Sequence, residues 1–340
     1  MTQPTPLSVI ILAAGKGTRM KSTRAKVLHE VFFEPMLHHV LKTVAPLQPQ
    51  QSLVVVGHQR DDVTNSIKRF RAETVLQEEQ LGTGHAVLCC QQTLSDPAAT
   101  LLILCGDTPL LRSETLRDML EYHQTRRSQL TVMTTLLDNP SNYGRIISDA
   151  DEKVRAIVEE KDADSEQKKI REINAGIYCV QAGFLFNALS RVGTDNAQKE
   201  VYLTDIVAIA TQNNIAVERY LNPVATDVLG VNSRVELAEA HQELQLRRNR
   251  DLMLHGVTLH SPSNTAIAAG VSIGQDTIIE PGVRITGSSR VGQNCLIQAG
   301  AILHDCLLGD GVRIAPYSCL TQKEMTSSTS VPPHTRDSVP

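Results

Sequence analysis

Aliphatic residues recur every six positions at Ile267, Ile273, Ile279, Ile285, Val291, Ile297 and Leu303, then continue after one five-residue step at Leu308, Ile314 and Leu320. Few folds can satisfy that period. One inward aliphatic per short strand, with polar corner phrases such as "SIGQDT", "RVGQNC" and "LLGDGV", specifies the stacked coils of a parallel β-helix. With three sides to a coil of ~18 residues, Ile267 to Leu320 supplies roughly three coils. A short β-helix is therefore predicted over residues 257–320. Residues 321–340 are polar and rich in Ser, Thr and Pro, which predicts a disordered tail. Upstream, residues 232–256 are charged and helix-favouring, with no internal Gly or Pro, and suit a linking helix.

Residues 1–231 follow a different rule. "SLVVVGH" (52–58), "TLLILCGDTPL" (100–110), "LTVMTTLL" (130–137) and "EINAGIYCV" (172–180) read as strands. Between them, "SETLRDMLEYHQTRR" (113–127) puts Leu116, Met119, Leu120 and His123 at helical spacing, with Ser113 as the expected N-cap. Such alternation predicts an α/β layered domain with a mainly parallel sheet covered by helices on both faces. Ligands of such sheets sit outside the carboxyl ends of the strands.

"SVIILAAGKGTRM" (8–20) places a loop at that position, directly after an apolar strand. Gly15 and Gly17 leave backbone N–H groups open to phosphate oxygens, and Lys16 and Arg19 add positive charge. Two familiar phosphate loops fail on spacing. A Walker loop needs glycine where Ile10 stands, and a dinucleotide fingerprint needs it where Met20 stands. Lys26, ten residues after Lys16, is close enough in sequence to join the same wall as a compact cation. In "VLQEEQLGTGHAV", the Gln77 amide can pair with a base edge, and the Gly82-Thr83-Gly84 turn lets backbone approach a ligand. Asp107 follows a buried strand, where a carboxylate suits either a hard divalent cation or an Asx turn.

Composition narrows the setting. A chain of 340 residues, 41% hydrophobic, is long enough for two domains. Net charge of -4 gives no electrostatic case for nucleic acid or an anionic membrane as partner. Seven cysteines without C-x-x-C spacing read as reduced, buried thiols, which predicts a cytoplasmic setting. No run approaches the ~18 apolar residues of a membrane span.

Taken in order, "LAAGKGTRM", "KVLH", "LQEEQLGTGHA", "GDTPL", "NYGRI", "IVEEKDA", "EINAGIY", "VYLTD" and "GVNSR" resemble the N-acetylglucosamine-1-phosphate uridyltransferase half of the bifunctional GlmU family. The resemblance covers about residues 8–320 and implies a Rossmann-like nucleotidyltransferase domain followed by a short left-handed β-helix. It implies that Leu12, Ala13, Ala14, Gly15 and Gly17 form the wall for UTP. Arg19 and Lys26 would be catalytic, stabilising the triphosphate, with Gln77, Gly82 and Thr83 reading uracil. Gly144, Glu159 and Asn174 would clasp N-acetylglucosamine 1-phosphate, and Asp107 with Asn232 would hold Mg²⁺. The resemblance also implies trimer packing through the β-helix.

Two positions depart from the family: Cys105 stands where tyrosine is common and Ala25 where proline is common. The family's "GNFVE" and "GHLTYLGD" segments have no counterpart, so acetyl transfer is expected to be absent. Two alternatives stay open on sequence: a nucleotidyltransferase for another sugar 1-phosphate, and a non-catalytic UDP-sugar-binding or scaffolding protein.

Overall fold

A computed structural model describes residues 6–94 and 96–337 of the chain. They form two compact units, dividing between Arg234 and Val235, with Val31–Phe33 belonging to the second. The boundary expected from the sequence lies after residue 231.

The first unit is built on a mixed sheet. From edge to edge its main strands are Val217–Leu221, Leu130–Leu136, Glu172–Gln181, Thr100–Cys105, Leu7–Leu12, Gln51–Val56 and Glu73–Leu76. Neighbours are parallel except at Glu172–Gln181, which runs antiparallel to both of these neighbours and to the short strand Arg145–Ser148. Strands covered on both faces are continuous apolar runs, and alternate residues divide between two cores. Ile10, Leu53, Val55, Leu101 and Ile103 pack with the helices Ala182–Leu189 and Asp205–Gln212. Val9, Ile11, Val54, Val56, Leu102 and Leu104 pack on the other face with Met36–Val44 and Ser113–Thr125. Ser113 is not the N-cap expected of it. Arg112 holds that position without a side-chain cap, and the Ser113 hydroxyl donates to the Thr43 carbonyl at 2.8 Å.

The second unit takes the helix Arg234–Leu254 from Val235 onward. Buried amides tie it to the first turn of the repeat domain: Asn249 Nδ2 donates to the carbonyls of Pro262 and Thr265, and Gln245 Nε2 to Ser263. Beyond it, short strands stack in three parallel sheets, the three faces of a left-handed β-helix. Ile267, Ile279, Ile285, Ile297, Leu303, Ile314 and Leu320 fill its axis as their spacing requires.

Most corners use one residue in the left-handed region. Asp276, Gly282, Gly287, Asn294, Gly300, Asp305 and Gly311 supply it first, residue types that tolerate positive φ. Tyr317, Gln322, Ser328 and His334 follow.

The disordered tail expected at 321–340 is overturned for the described residues. Strands Glu324–Met325, Ser330–Val331 and Arg336–Asp337 continue the stack, each hydrogen-bonded to the coil before. Met325 and Val331 stand five and then six residues further along the period and enter the same core. A coil needs only one aliphatic per side, so a Ser/Thr/Pro-rich composition and a packed coil are compatible. Residues 338–340 lie outside the described residues.

Candidate active site

The parallel strands Leu7–Leu12 and Thr100–Cys105 end side by side, with Leu12 opposite Cys105. Past these ends opens a cavity of about 540 Å³. Every residue expected at the nucleotide lines it: Leu12, Ala13, Ala14, Gly15, Gly17, Arg19, Lys26, Gln77, Gly82 and Thr83, with Asp107 and Asn232. Residues 213 positions apart in the chain meet there, as Arg19 Nη2 donates to Asn232 Oδ1 at 2.8 Å.

The glycine loop acts through what it lacks. A Cβ on Gly15 would point into open space, so that face stays clear for a ligand. Gly17 has φ +59°, and a Cβ there would lie 2.5 Å from Lys26 Cβ. Its absence admits the lysine to the site. Lys26 Nζ then lies between Asp107 Oδ2, with which it forms an ion pair, and Asn232 Oδ1 at 2.7 Å. Two oxygens from segments far apart in sequence thus converge on one cation. Asn232 Nδ2 donates to the Gly230 carbonyl, which orients its oxygen, and Val231 N–H is bonded to the Asp107 carbonyl at 2.9 Å. Hard oxygen donors arranged around a positive charge suit a divalent cation.

Gln77 is buried, and its Nε2 donates to the Gly82 carbonyl at 3.0 Å with His85 Nδ1 at 3.1 Å. The amide N–H₂ is therefore engaged with the protein, leaving the side-chain carbonyl as the group available to a base edge. Thr83 Oγ1 accepts from Leu203 N–H at 3.0 Å, fixing the turn.

Gly144, Glu159 and Asn174 gather beside this cavity rather than in its lining. Asn174 N–H donates to the Gly144 carbonyl at 2.9 Å, and a Cβ on Gly144 would sit 3.5 Å from Glu159 Oε2. Thr204 donates to Glu159 Oε1 at 3.1 Å. Burial raises the Glu159 carboxyl above the usual range against that hydrogen bond, with Asp162, Asp205 and Glu200 adding to the rise. Cys105 joins the two groups: it lines the cavity, and its thiol donates to the Gly176 carbonyl at 3.8 Å. Burial, then the Asp107 charge, pushes that thiol up to about 12, so it stays protonated.

Gln80 and Glu200 also line the cavity and were not singled out from the sequence. Gln80 lies within "LQEEQLGTGHA" and could have been found there; Glu200 carries no local signal.

A family model described as a MobA-like NTP transferase domain matches residues 9–171. The solved structure of a UDP-glucose pyrophosphorylase complexed with UDP-glucose shares the fold, with TM-score 0.59 and 17% identity over 72% of this chain and 100% of that one. Such a domain, with a glycine loop and converging cations outside its strand ends, makes the chain a nucleotidyltransferase. The bifunctional protein GlmU of Desulfotalea psychrophila is 47% identical over 337 residues, 99% of each chain. That of Pelobacter propionicus is 44% identical over 331 residues, 96% of this chain and 71% of its own length. The chain belongs to the GlmU family.

Proposed function

We propose that the protein transfers uridylyl from UTP to N-acetyl-α-D-glucosamine 1-phosphate, giving UDP-N-acetylglucosamine and pyrophosphate for cell-envelope precursors. The observation that carries this reading is the convergence of Arg19, Lys26, Asp107 and Asn232 at the mouth of the glycine loop. The nucleophile, a sugar phosphate oxygen, is already anionic and requires no general base. It attacks the α-phosphorus in line as the bond to the pyrophosphate oxygen breaks.

The residues' task is to align two polyanions and offset their repulsion. Backbone N–H groups at Gly15 and Gly17 meet phosphate oxygens, while Arg19 and Lys26 balance the charge at the transferring phosphorus. Gln77, held by Gly82 and His85, presents its carbonyl to the uracil N3–H. Glu159 and Asn174 receive the amino sugar, and a site built to hydrogen-bond a substrate group rejects the analogue lacking it. When bound by Asp107 and Asn232, Mg²⁺ supplies further positive charge against the triphosphate.

The test is pyrophosphate release with Mg²⁺ from each nucleoside triphosphate paired with N-acetylglucosamine 1-phosphate or glucose 1-phosphate. Release confined to UTP with the acetylated sugar is expected. Binding of UDP-sugar without turnover would favour a scaffold instead.

A homotrimer through the β-helix is supported by the exposed Ile302 and Leu307 on its faces and is tested by sedimentation. A cytoplasmic setting is supported by seven free cysteines, and no helix among the described residues is long and apolar enough to cross a membrane.

A further inference from the structure

The sugar side of the site holds a hydroxyl, at the end of "EINAGIY", to which the proposed mechanism gives no role. Tyr178 is 2% exposed and stands opposite Ile103 in antiparallel register. Asn174 Nδ2 donates to its hydroxyl at 2.7 Å. In a regular strand, residues four apart are separated by ~13 Å and cannot bond in this way. Here the pairing register shifts between Asn174 and Tyr178, and Gly176 takes φ +73°. A bulge of this kind re-aims the side chains flanking it.

The bulge is held by a chain of hydrogen bonds. The Cys105 thiol donates to the Gly176 carbonyl, the Gly176 N–H donates to Asn174 Oδ1 at 3.0 Å, and Asn174 in turn donates to Tyr178. The Asn174 amide is thereby fixed at both ends, and among the described residues one N–H and one carbonyl lone pair are left to a ligand. Such an adjacent donor and acceptor match the C=O and N–H of a secondary amide.

We propose that Tyr178 is a positioning residue for sugar selection, fixing the Asn174 amide so that it recognises the acetamido group of the sugar phosphate. This rests on the uridylyl-transfer reading above. The side chain at 105 is part of the arrangement: a small thiol there leaves the phenol of the neighbouring strand its place beside Asn174. Burial, then the Glu159 charge, holds the phenol well above its usual range, so the hydroxyl keeps its proton at any working pH.

The test is steady-state kinetics on both sugar phosphates for the native enzyme, Tyr178→Phe, Asn174→Ala and the double variant, with melting temperatures. Removing one hydrogen bond to a neutral partner is expected to raise KM for N-acetylglucosamine 1-phosphate about tenfold. Preference over glucose 1-phosphate falls by the same factor, while KM for UTP stays within about twofold, since the clamp touches only the sugar side. The double variant should be no worse than Asn174→Ala, because Tyr178 acts through that amide. A folded Tyr178→Phe with unchanged preference, or losses that multiply in the double variant, overturns the proposal. Should Tyr178→Phe not fold, Tyr178→Leu is read in the same way, and failure of both to fold overturns positioning in favour of a structural role. A native enzyme that does not use N-acetylglucosamine 1-phosphate overturns the functional reading and this proposal together; an active native enzyme with an indifferent Tyr178→Phe overturns only this one.

Discussion

The two walls of the active site are built on opposite principles. On the nucleotide wall, Arg19, Lys26, Asp107 and Asn232 meet as charges and hard oxygens, reaching from loops into an open cavity. On the sugar wall, Cys105, Asn174 and Tyr178 are linked through Gly176 by hydrogen bonds, Glu159 stands apart on Thr204, and burial raises every acidic group among them. Charge on the first wall serves rate, because repulsion between phosphates is what must be offset. Fixed geometry on the second serves choice, because sugars differ by single groups.

Substitutions on each wall can break this contrast. Lys26→Met should lower kcat/KM about a thousandfold, the scale of removing one electrostatic donor to a transition state. The same variant should bind Mn²⁺ more tightly without nucleotide, read by paramagnetic resonance, because the ammonium no longer competes for Asp107 and Asn232. Equal loss from a sugar-wall substitution, or no gain in metal affinity, would contradict the division.

Glu159→Gln should cost roughly tenfold to a hundredfold in sugar preference, the effect of an altered hydrogen bond to an uncharged group. Its stability effect has a definite sign. A carboxyl raised in the folded state binds its proton more tightly there, so native stability is lost as pH rises from the unfolded value through the folded one. Glu159→Gln should therefore melt higher than native at pH 8 and show little difference at pH 4, followed by calorimetry.

Cys105→Tyr should gain no activity and should lower stability by about 1–3 kcal/mol through overpacking. Even a Cβ on Gly176 would lie 3.2 Å from the thiol sulfur. Denaturant unfolding reads this directly. The smallest effect lies outside the site: Val331→Ala should cost about 1.6 kcal/mol, the loss of two buried carbons, measured by melting of the repeat domain. No change at all would return that segment to the disorder its composition suggested.

The sequence made the architecture legible where a period or a buried strand forced it. Ile267 to Leu320 announced the stack, and "TLLILCGD" announced a strand with a carboxylate at its mouth. Met325 and Val331 kept the same cadence but were hidden by the Ser, Thr and Pro around them. Composition averages over positions, whereas a coil depends on only one in six. The nucleotide wall was legible because glycine loops leave local marks. The link from Asn174 to Tyr178 was not, since a regular strand would hold them apart and the bulge that joins them depends on the partner strand.

The left-handed corners give the β-helix a gradient. Corners up to Gly311 use Gly, Asn or Asp, whereas Tyr317, Gln322, Ser328 and His334 place other side chains where such a conformation costs of order 1–3 kcal/mol. Because a solenoid's stability is a sum over neighbouring repeats, its coils should open in sequence rather than together. Amide hydrogen exchange would then spread inward from the coil that ends at Asp337 towards the helix Arg234–Leu254, with residues 258–311 the last to exchange.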